Sequence, residues 1–141
     1  MGISKIAYSP NGLVHFSVGA IIQKEGKYLL LDRANVPEGF AGVAGHVEVG
    51  ESAEQAIIRE VKEEVGLDVR GCKPVFEETL YGSWCKRGIQ NHHWQVFECE
   101  VKGQEKKNKE SKSIGWYSPS EINKLNLEPS WVIILKKLEI I

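Results

Sequence analysis

The sequence predicts an α/β domain, because segments with the pattern of strands alternate with segments that have the pattern of helices. Short apolar or alternating segments bounded by turn residues favour β-strands. One longer segment carries apolar residues at every fourth position, which favours an amphipathic helix. A length of 141 residues with 42% hydrophobic content is enough for one sizeable core but leaves little room for a second. We therefore expect one domain over residues 1–141.

The first half of the chain is expected to begin with a β-hairpin. Strand patterns cover residues 14–23 and 27–32, and Lys24-Glu25-Gly26 forms the turn between them. A loop through Pro37 and Gly39 follows, and residues 42–49 lead into the helix. Further strands are expected at residues 73–80, 91–101 and 114–117.

The central helix is expected over residues 52–65, and both of its ends carry recognisable signals. Ser52 is a suitable N-cap with Gln55 three residues later, which is the pattern of a capping box. Gly66 stands where a left-handed C-terminal cap is favoured. The expected apolar stripe consists of Ala53, Ile57, Val61 and Val65.

Two further helices are expected near the carboxyl end. Ser118-Pro119-Ser120 opens a short helix that continues through Lys124. Ser130 is the predicted N-cap of a last helix over residues 131–138. The expected apolar face of that helix consists of Val132, Ile133, Leu135 and Leu138.

The central helix also carries a cluster of carboxylates. Glu60, Glu63 and Glu64 stand at i, i+3 and i+4, so their side chains converge about one turn apart on a face beside the apolar stripe. The repulsion between these charges is relieved if they hold a hard divalent cation such as Mg²⁺, which prefers oxygen ligands. The alternative is a solvated charge run on the surface of a stable helix.

A wider pattern distinguishes these two interpretations. The segment from residue 45 to residue 67 reads GHVEVGESAEQAIIREVKEEVGL and fits G-x5-E-x7-R-E-U-x-E-E-x-G-U, in which U is aliphatic. That pattern is the Nudix box, and the chain resembles the Nudix hydrolase family. The matching positions are Gly45, Glu51, Arg59, Glu60, Val61, Glu63, Glu64, Gly66 and Leu67.

The resemblance implies a fold, a reaction and a metal. Nudix enzymes have a mixed curved sheet sandwiched between helices, with the box forming a loop-helix-loop at the sheet edge. They hydrolyse a nucleoside diphosphate linked to another group, by attack of water at phosphorus with divalent metals on the pyrophosphate. The expected cofactor is Mg²⁺, with Mn²⁺ as a substitute.

The resemblance also assigns roles to residues of the box. Glu60, Glu63 and Glu64 match the metal-binding glutamates, and Arg59 matches the arginine that orients them by ion pairing. Glu51 is expected to have a similar supporting role. Gly45 is expected to permit a tight loop that brings a backbone carbonyl, that of Ala44, near the metal.

The general base has two candidates. Glu60 stands at the position used as the base in small antimutator-type nucleoside triphosphate pyrophosphatases, which the chain resembles in size and layout. Glu110 lies six residues before Trp116, the same offset at which those enzymes carry a further metal-ligating glutamate. The alternative role of Glu110 is that of a solvated loop charge.

Substrate contacts are expected outside the box. Arg33 matches a position where related enzymes hold an arginine that contacts phosphate, and its planar fork suits bidentate binding. Trp94, with Trp84 and the neighbouring histidines, offers a surface on which a base stacks, although a Trp in an alternating strand also suits the core. The adjacent His92 and His93 suggest a zinc site, but neighbouring strand residues point to opposite faces.

The substrate expected from this resemblance is a small nucleotide, most readily a nucleoside triphosphate cleaved to monophosphate and pyrophosphate. Val43-Ala44-Gly45 replaces the Pro-Gly-Gly usual before the box, and Leu127-Glu128-Pro129 replaces Asn-Glu-Pro. The alternatives that stay open are an ADP-ribose or nucleotide-sugar pyrophosphatase and a Nudix module that senses a nucleotide without turnover.

Composition narrows the expected partners and compartment. A formal net charge of -1 gives no reason to expect binding to a nucleic acid polymer. The sequence lacks a run of about 20 apolar residues, so no membrane association is expected. The three cysteines, Cys72, Cys85 and Cys99, lack metal-ligand spacing, which favours reduced thiols in a cytoplasmic protein. Many Nudix enzymes are dimers, so a homodimer is compatible with the resemblance.

Overall fold

A computed structural model describes residues 3–9, 12–81 and 91–141, so Trp84 and Cys85 lie outside the described residues. The helices within these ranges are α1 (Ala53–Val65), α2 (Pro119–Ile122) and α3 (Pro129–Lys137). The strands are β1 (Ile6–Ser9), β2 (Gly12–Ile21), β3 (Gln23–Lys24), β4 (Lys27–Arg33), β5 (Gly39–Ala41), β6 (Val43–His46), β7 (Asp68–Leu80), β8 (Asn91–Lys102) and β9 (Ser111–Tyr117). None of the helices in the described ranges has the length and apolar character needed to cross a lipid bilayer.

The strands form two sheets rather than one. The larger sheet has the order β1-β2-β8-β7, and β6 pairs with the second half of β2. Strands β2 and β8 are parallel, and the other pairs in this sheet are antiparallel. The smaller sheet has the order β3-β4-β5 with β9 on the other side of β4, and all of its pairs are antiparallel. The predicted mixed architecture is confirmed.

The predicted hairpin is present, but only the two residues next to the turn pair across it as strands. Gln23 and Lys24 lie opposite Tyr28 and Lys27 around the turn. The longer preceding strand, β2, belongs to the larger sheet. The chain therefore passes from one sheet to the other at Ile22, whose carbonyl still accepts a hydrogen bond from the Leu29 amide at 3.0 Å.

Helix α1 has the two ends that the sequence predicts. The Ser52 hydroxyl accepts from the Gln55 amide while the Gln55 side chain accepts from the Ser52 amide, which completes the capping box. Gly66 closes the helix in the left-handed region with φ 70°, which glycine adopts at no steric cost. The first core lies between α1 and one face of the larger sheet. Its members include Val18, Ala20, Val43, Val47, Ile57, Val61 and Val65.

The opposite face of the larger sheet packs on α3. This second core includes Ile21, Leu30, Trp94, Val96, Trp131, Ile134 and Leu135. Trp131 and Ile134 are almost fully buried, whereas Ile133 is 39% exposed. The predicted apolar face of this helix was therefore wrong at Ile133, and it missed Trp131 and Ile134.

The predicted cap of α3 was also wrong. Glu128, not Ser130, is the N-cap, and its side chain accepts from the Ser130 amide at 3.0 Å. The reason lies in Pro129, because proline favours the first position of a helix, where its missing N–H costs nothing. The preceding residue then becomes the cap. By contrast, Ser118 caps α2 as predicted.

Two strands begin earlier than predicted, β7 at Asp68 and β9 at Ser111.

Cys72 and Cys99 are direct cross-strand partners on β7 and β8, and both are free thiols. Burial raises the pKa of the Cys99 thiol to about 12. Because the thiolate is the reactive form, a raised pKa fits a packing role for this cysteine.

Adjacent isoleucines on α1 test the packing of the first core. Ile57 is fully buried and Ile58 is 41% exposed. We expect Ile57→Ala to lower the free energy of unfolding by about 2–5 kcal/mol, because it leaves a cavity between the helix and the sheet. The matched control Ile58→Ala should cost less than about 1 kcal/mol. Urea titrations of the two variants measure the difference, and equal losses would contradict the orientation of α1.

Candidate active site

A cavity of about 350 Å³ lies where both sheets, α1 and the start of α3 meet. This volume falls within the range of pockets that hold small molecules. Its walls come from the carboxylate face of α1, from the centre of the larger sheet and from the loop that precedes β9. Among the lining residues are Ser17, Arg33, Ala44, Gly45, His46, Arg59, Glu60, Glu63, Glu64, His92, Trp94, Glu110, Glu128 and Trp131.

The three clustered glutamates of α1 all line this cavity, but they differ in exposure. The Glu60 side chain is only 14% exposed, whereas that of Glu63 is 60% exposed. Glu64 turns toward strand β6, where its Oε2 accepts from the Ala44 amide at 3.3 Å. The carboxylates therefore run from a buried pair, Glu60 and Glu64, to a solvated member at the cavity rim.

Gly45 makes room for the Glu60 carboxyl group. A Cβ atom built at Gly45 would overlap the carboxyl carbon and both carboxyl oxygens of Glu60. Gly45 lies within strand β6, opposite Val18, and not in the tight loop that the sequence predicted. The physical reason for glycine is the close approach of a side chain from α1, and this part of the prediction was wrong.

Arg59 holds the surrounding carboxylates in place. Its Nε and Nη2 atoms donate to the two carboxyl oxygens of Glu51 at 2.8 and 3.0 Å, a bidentate pair. Its Nη1 donates to Glu60 at 2.7 Å and to Glu63 at 3.4 Å. The guanidinium also donates to the His46 carbonyl at 3.0 Å and lies 3.3 Å from Glu48.

Hydrogen bonds and burial shift the pKa values of these side chains in opposite directions. Hydrogen bonds from Arg59 lower the pKa of Glu51, and the bond to Glu51 raises the pKa of Arg59. Burial raises the pKa of Glu64 well above its usual range, and the nearby charge of Glu60 adds to that rise. Burial also raises the pKa of Glu60, against the opposing effect of Arg59.

Arg59, which contacts Glu60, and the nearby charge of Arg33, which acts on Glu64, only partly offset the burial of this pair. Two carboxylates removed from water beside one another cannot both ionise without a large cost. A proton or a hard cation compensates that charge, and an all-oxygen donor set suits a divalent ion such as Mg²⁺. The raised pKa values of Glu60 and Glu64 fit a cation among these side chains.

Glu110 lies on the loop that closes the cavity from the other side. The loop is anchored to the end of α1, because the Lys106 amide donates to the Val65 carbonyl at 2.8 Å and the Asn108 side chain donates to the Glu63 carbonyl at 3.1 Å. Asn108 in turn accepts from the Glu110 amide at 2.8 Å. Glu110 is exposed to solvent and lines the same cavity as the α1 glutamates.

The residues predicted to contact substrate also reach the cavity wall. The Arg33 Nε donates to the Pro37 carbonyl at 2.7 Å, which fixes the base of its guanidinium. Trp94 is only 7% exposed and meets Trp131 edge to face with ring centroids 5.9 Å apart. Its Nε1 is buried and has no hydrogen-bond partner among the described residues. Trp94 is thus both a core residue and part of the wall.

The sequence reasoning missed two features of the cavity. Glu128 is 3% exposed, and burial raises its pKa. Its place ahead of Pro129 was the available signal for its capping role. The second feature is a cluster of His15, His46 and His92, whose rings approach one another across three strands. No local signal revealed it, because the three residues are far apart in the chain.

Comparison with known proteins agrees with this geometry. The model of the NUDIX domain family matches residues 13–137. The CTP pyrophosphohydrolase of Escherichia coli K12 is 34% identical over 127 residues, which cover 84% of this chain and 87% of that protein. The nucleoside triphosphatase NudI of Enterobacter sp. strain 638 is 30% identical over 118 residues, covering 76% of this chain and 84% of that protein.

A shorter match and a solved structure complete the comparison. The ADP-ribose pyrophosphatase of Methanocaldococcus jannaschii is 51% identical over 53 residues, which are 36% of this chain and 31% of that protein. A MutT NUDIX hydrolase from Burkholderia pseudomallei shares the fold with a TM-score of 0.77 at 20% identity, covering 87% of this chain and 96% of that one. The chain belongs to the Nudix hydrolase family, whose members hydrolyse nucleotide pyrophosphate bonds and generally use a divalent metal.

Proposed function

We propose that this single-domain chain is a Mg²⁺-dependent hydrolase that cleaves a nucleoside triphosphate to the monophosphate and pyrophosphate. The observation that carries the proposal is the complete set of box carboxylates, held by Arg59 around a cavity large enough for a small molecule. Two relatives that span most of the chain are named for action on nucleoside triphosphates. Their names support the triphosphate over the alternatives.

The proposed metal ligands are the carboxylates of the cavity together with the backbone of Ala44. Glu60, Glu63, Glu64 and Glu110 all face the same space. When bound, Mg²⁺ supplies charge neutralisation of the pyrophosphate and lowers the pKa of bound water. Arg59 and Glu51 are positioning residues, because their bidentate pair fixes the guanidinium that holds Glu60.

Proton removal from the attacking water needs a general base within the cavity. Glu60 and Glu110 are the two candidates. Burial raises the pKa of Glu60, whereas Glu110 is exposed to solvent. The water oxygen then bonds to phosphorus while the anhydride bond between the first and second phosphates breaks, and the pyrophosphate leaves with the bonding electron pair.

Three residues are proposed to bind the substrate. Arg33, which lines the same cavity, offers a cation to the phosphates. Trp94 offers the part of its ring that lines the cavity to the nucleoside. Gly45 contributes by the absence of a side chain, since the Glu60 carboxyl group takes up the space that its Cβ would fill.

The proposal is tested first by measuring product release from a panel of compounds. Nucleoside triphosphates, oxidised triphosphates, ADP-ribose, dinucleoside polyphosphates and nucleotide sugars are compared with and without Mg²⁺. We expect one triphosphate to be preferred and a chelator to abolish turnover. A preference for ADP-ribose or a nucleotide sugar would replace the proposed substrate. Nucleotide binding without any turnover would instead indicate a sensing module.

Removal of one anionic ligand tests the metal assignment. We expect Glu63→Gln to lower kcat/KM by roughly 100-fold or more, because it weakens metal binding without disturbing the core. The control is Glu54→Gln, which removes the same charge from the first turn of the same helix, away from the cavity. Steady-state kinetics at saturating Mg²⁺ provides the measurement, and near-normal activity of Glu63→Gln would overturn the assignment.

The raised pKa of Glu64 predicts a pH-dependent stability. A carboxyl whose pKa is higher in the folded than in the unfolded state stabilises the fold below its unfolded pKa, and that stability is lost as pH rises through the folded pKa. In chelator, Glu64→Gln should therefore have a higher Tm than the unchanged protein at pH 8. Near pH 4 the two should differ little.

Magnesium should produce the complementary effect. We expect Mg²⁺ to raise the Tm of the unchanged protein more at pH 8 than at pH 5, since protons no longer compete for the carboxylates. The same addition should have a much smaller effect on Glu64→Gln. Thermal unfolding of Glu54→Gln provides the control, and a Tm increase that is independent of pH and of Glu64 would place the cation elsewhere.

A further inference from the structure

Three of the four histidines in the chain meet on the cavity face of the larger sheet. His15 on β2 and His92 on β8 are direct partners in the parallel register, and His46 on β6 lies opposite Ser17, two residues after His15. Direct partners, and residues two apart along a strand, point to the same side of a sheet. The register therefore places all three imidazoles on one face.

The rings are close enough to share one ligand. The His15 and His46 ring centroids are 4.2 Å apart, and the His92 centroid lies 5.7 and 5.8 Å from them. One ring nitrogen from each residue lies within 4.8 Å of the other two. His15 is 1% exposed and His92 is 5% exposed, so both rings are held in the packed interior of the sheet face.

We propose that His15, His46 and His92 form a site for Zn²⁺, separate from the carboxylates of α1. Imidazole nitrogen suits Zn²⁺ and other late transition metals, whereas Mg²⁺ prefers oxygen ligands. Tetrahedral Zn²⁺ with bonds of 2.0–2.1 Å places its nitrogen ligands about 3.3 Å apart. The observed nitrogens are within 4.8 Å of one another, so small rotations of the rings complete the site.

A neighbouring hydroxyl orients one of the ligands. The Ser17 Oγ lies 3.0 Å from the His92 Nδ1 in the buried interior. Metal-binding histidines generally use their second nitrogen to donate a hydrogen bond, which fixes the tautomer and the direction of the ring. With Nδ1–H donating to Ser17, the Nε2 atom of His92 is the one that binds Zn²⁺.

The fourth coordination position faces the cavity. His46 and His92 both line it, whereas His15 lies behind them. Three protein ligands with one open position are the arrangement of zinc sites that also bind water or a small molecule. The open position would therefore take water or an anionic oxygen of a compound in the cavity. This site does not depend on the proposed hydrolysis.

His93 provides the matched control. It follows His92 in the same strand but points to the other face, where its nitrogens lie 2.7 Å from the Thr79 hydroxyl and 2.8 Å from Glu77. A change at His93 removes the same chemical group without touching the cluster. The sequence argument that His92 and His93 cannot bind one ion together agrees with these orientations, and the proposed partners of His92 lie on other strands.

The experiment is a Zn²⁺ titration of the full chain, stripped of metal and held in saturating Mg²⁺ so that the carboxylates are occupied. We expect one Zn²⁺ per chain, with affinity reduced at least about 100-fold in His92→Gln and unchanged in His93→Gln and in Glu63→Gln. Retained affinity in His92→Gln, or equal losses in His92→Gln and His93→Gln, would overturn the site. Loss in Glu63→Gln would assign the ion to the carboxylates and overturn it as well.

A second measurement uses the unchanged protein, since His92 is buried and its replacement can disturb folding. Zinc X-ray absorption of the 1:1 complex should show about three imidazole nitrogens at about 2.0 Å. Cobalt substitution should give the visible spectrum of a tetrahedral ion. A first shell made of oxygen alone, or an octahedral cobalt spectrum, would contradict the assignment. Absence of Zn²⁺ binding at micromolar concentration would contradict it too.

Discussion

The arrangement of the cavity depends on the contacts that the Arg59 guanidinium makes. The guanidinium contacts the side chains of Glu48, Glu51, Glu60 and Glu63 and one backbone carbonyl, and it thereby joins helix α1 to the segment that precedes it. Four carboxylates at such separations would repel one another without a central cation. The planar fork of arginine satisfies several of them at once, which the point charge of a lysine does not.

Two packing constraints extend from this centre. The Glu60 carboxyl group occupies the space that a Cβ atom at Gly45 would fill. Strand β6 and helix α1 could therefore not approach each other this closely with any other residue at position 45. Beyond Glu60, the Glu64 carboxyl is buried beside it and accepts from the Ala44 amide. The protein thus buries two acidic groups side by side at one wall. Ionising both of them there is unfavourable for folding alone and favourable for holding a cation.

The other wall of the cavity has a different chemistry. Imidazole and indole side chains from β6 and β8 line the same cavity as the carboxylates of α1. Hard oxygen donors and softer nitrogen donors therefore face one cavity from separate secondary structures. Their separation follows from the larger sheet, whose one face packs on α1 while the other lines the cavity and packs on α3.

How much of this could be predicted from sequence depends on how local each feature is. The ends of α1 and the convergence of its glutamates follow from helical geometry over a few residues, and the sequence predicted them. The approach of Gly45 to Glu60 depends on how a helix docks on a strand, so the reason for that glycine was assigned wrongly. The histidine cluster depends on the register of three strands, which a single sequence does not reveal. At the start of α3, the prediction followed the general preference for serine caps and named Ser130. The more specific signal was Pro129, which makes the preceding residue, Glu128, the cap.

The measurement that tests the central claim most directly is a crystal structure of the protein with Mn²⁺ and a non-hydrolysable nucleoside triphosphate analogue. Mn²⁺ is located by its anomalous scattering, independently of any activity. The account predicts Mn²⁺ bound by Glu60, Glu63 and Glu64 and bridging to the phosphates of the analogue, with Arg59 still paired to Glu51. Mn²⁺ absent from these carboxylates, with the analogue bound in the cavity, would contradict it.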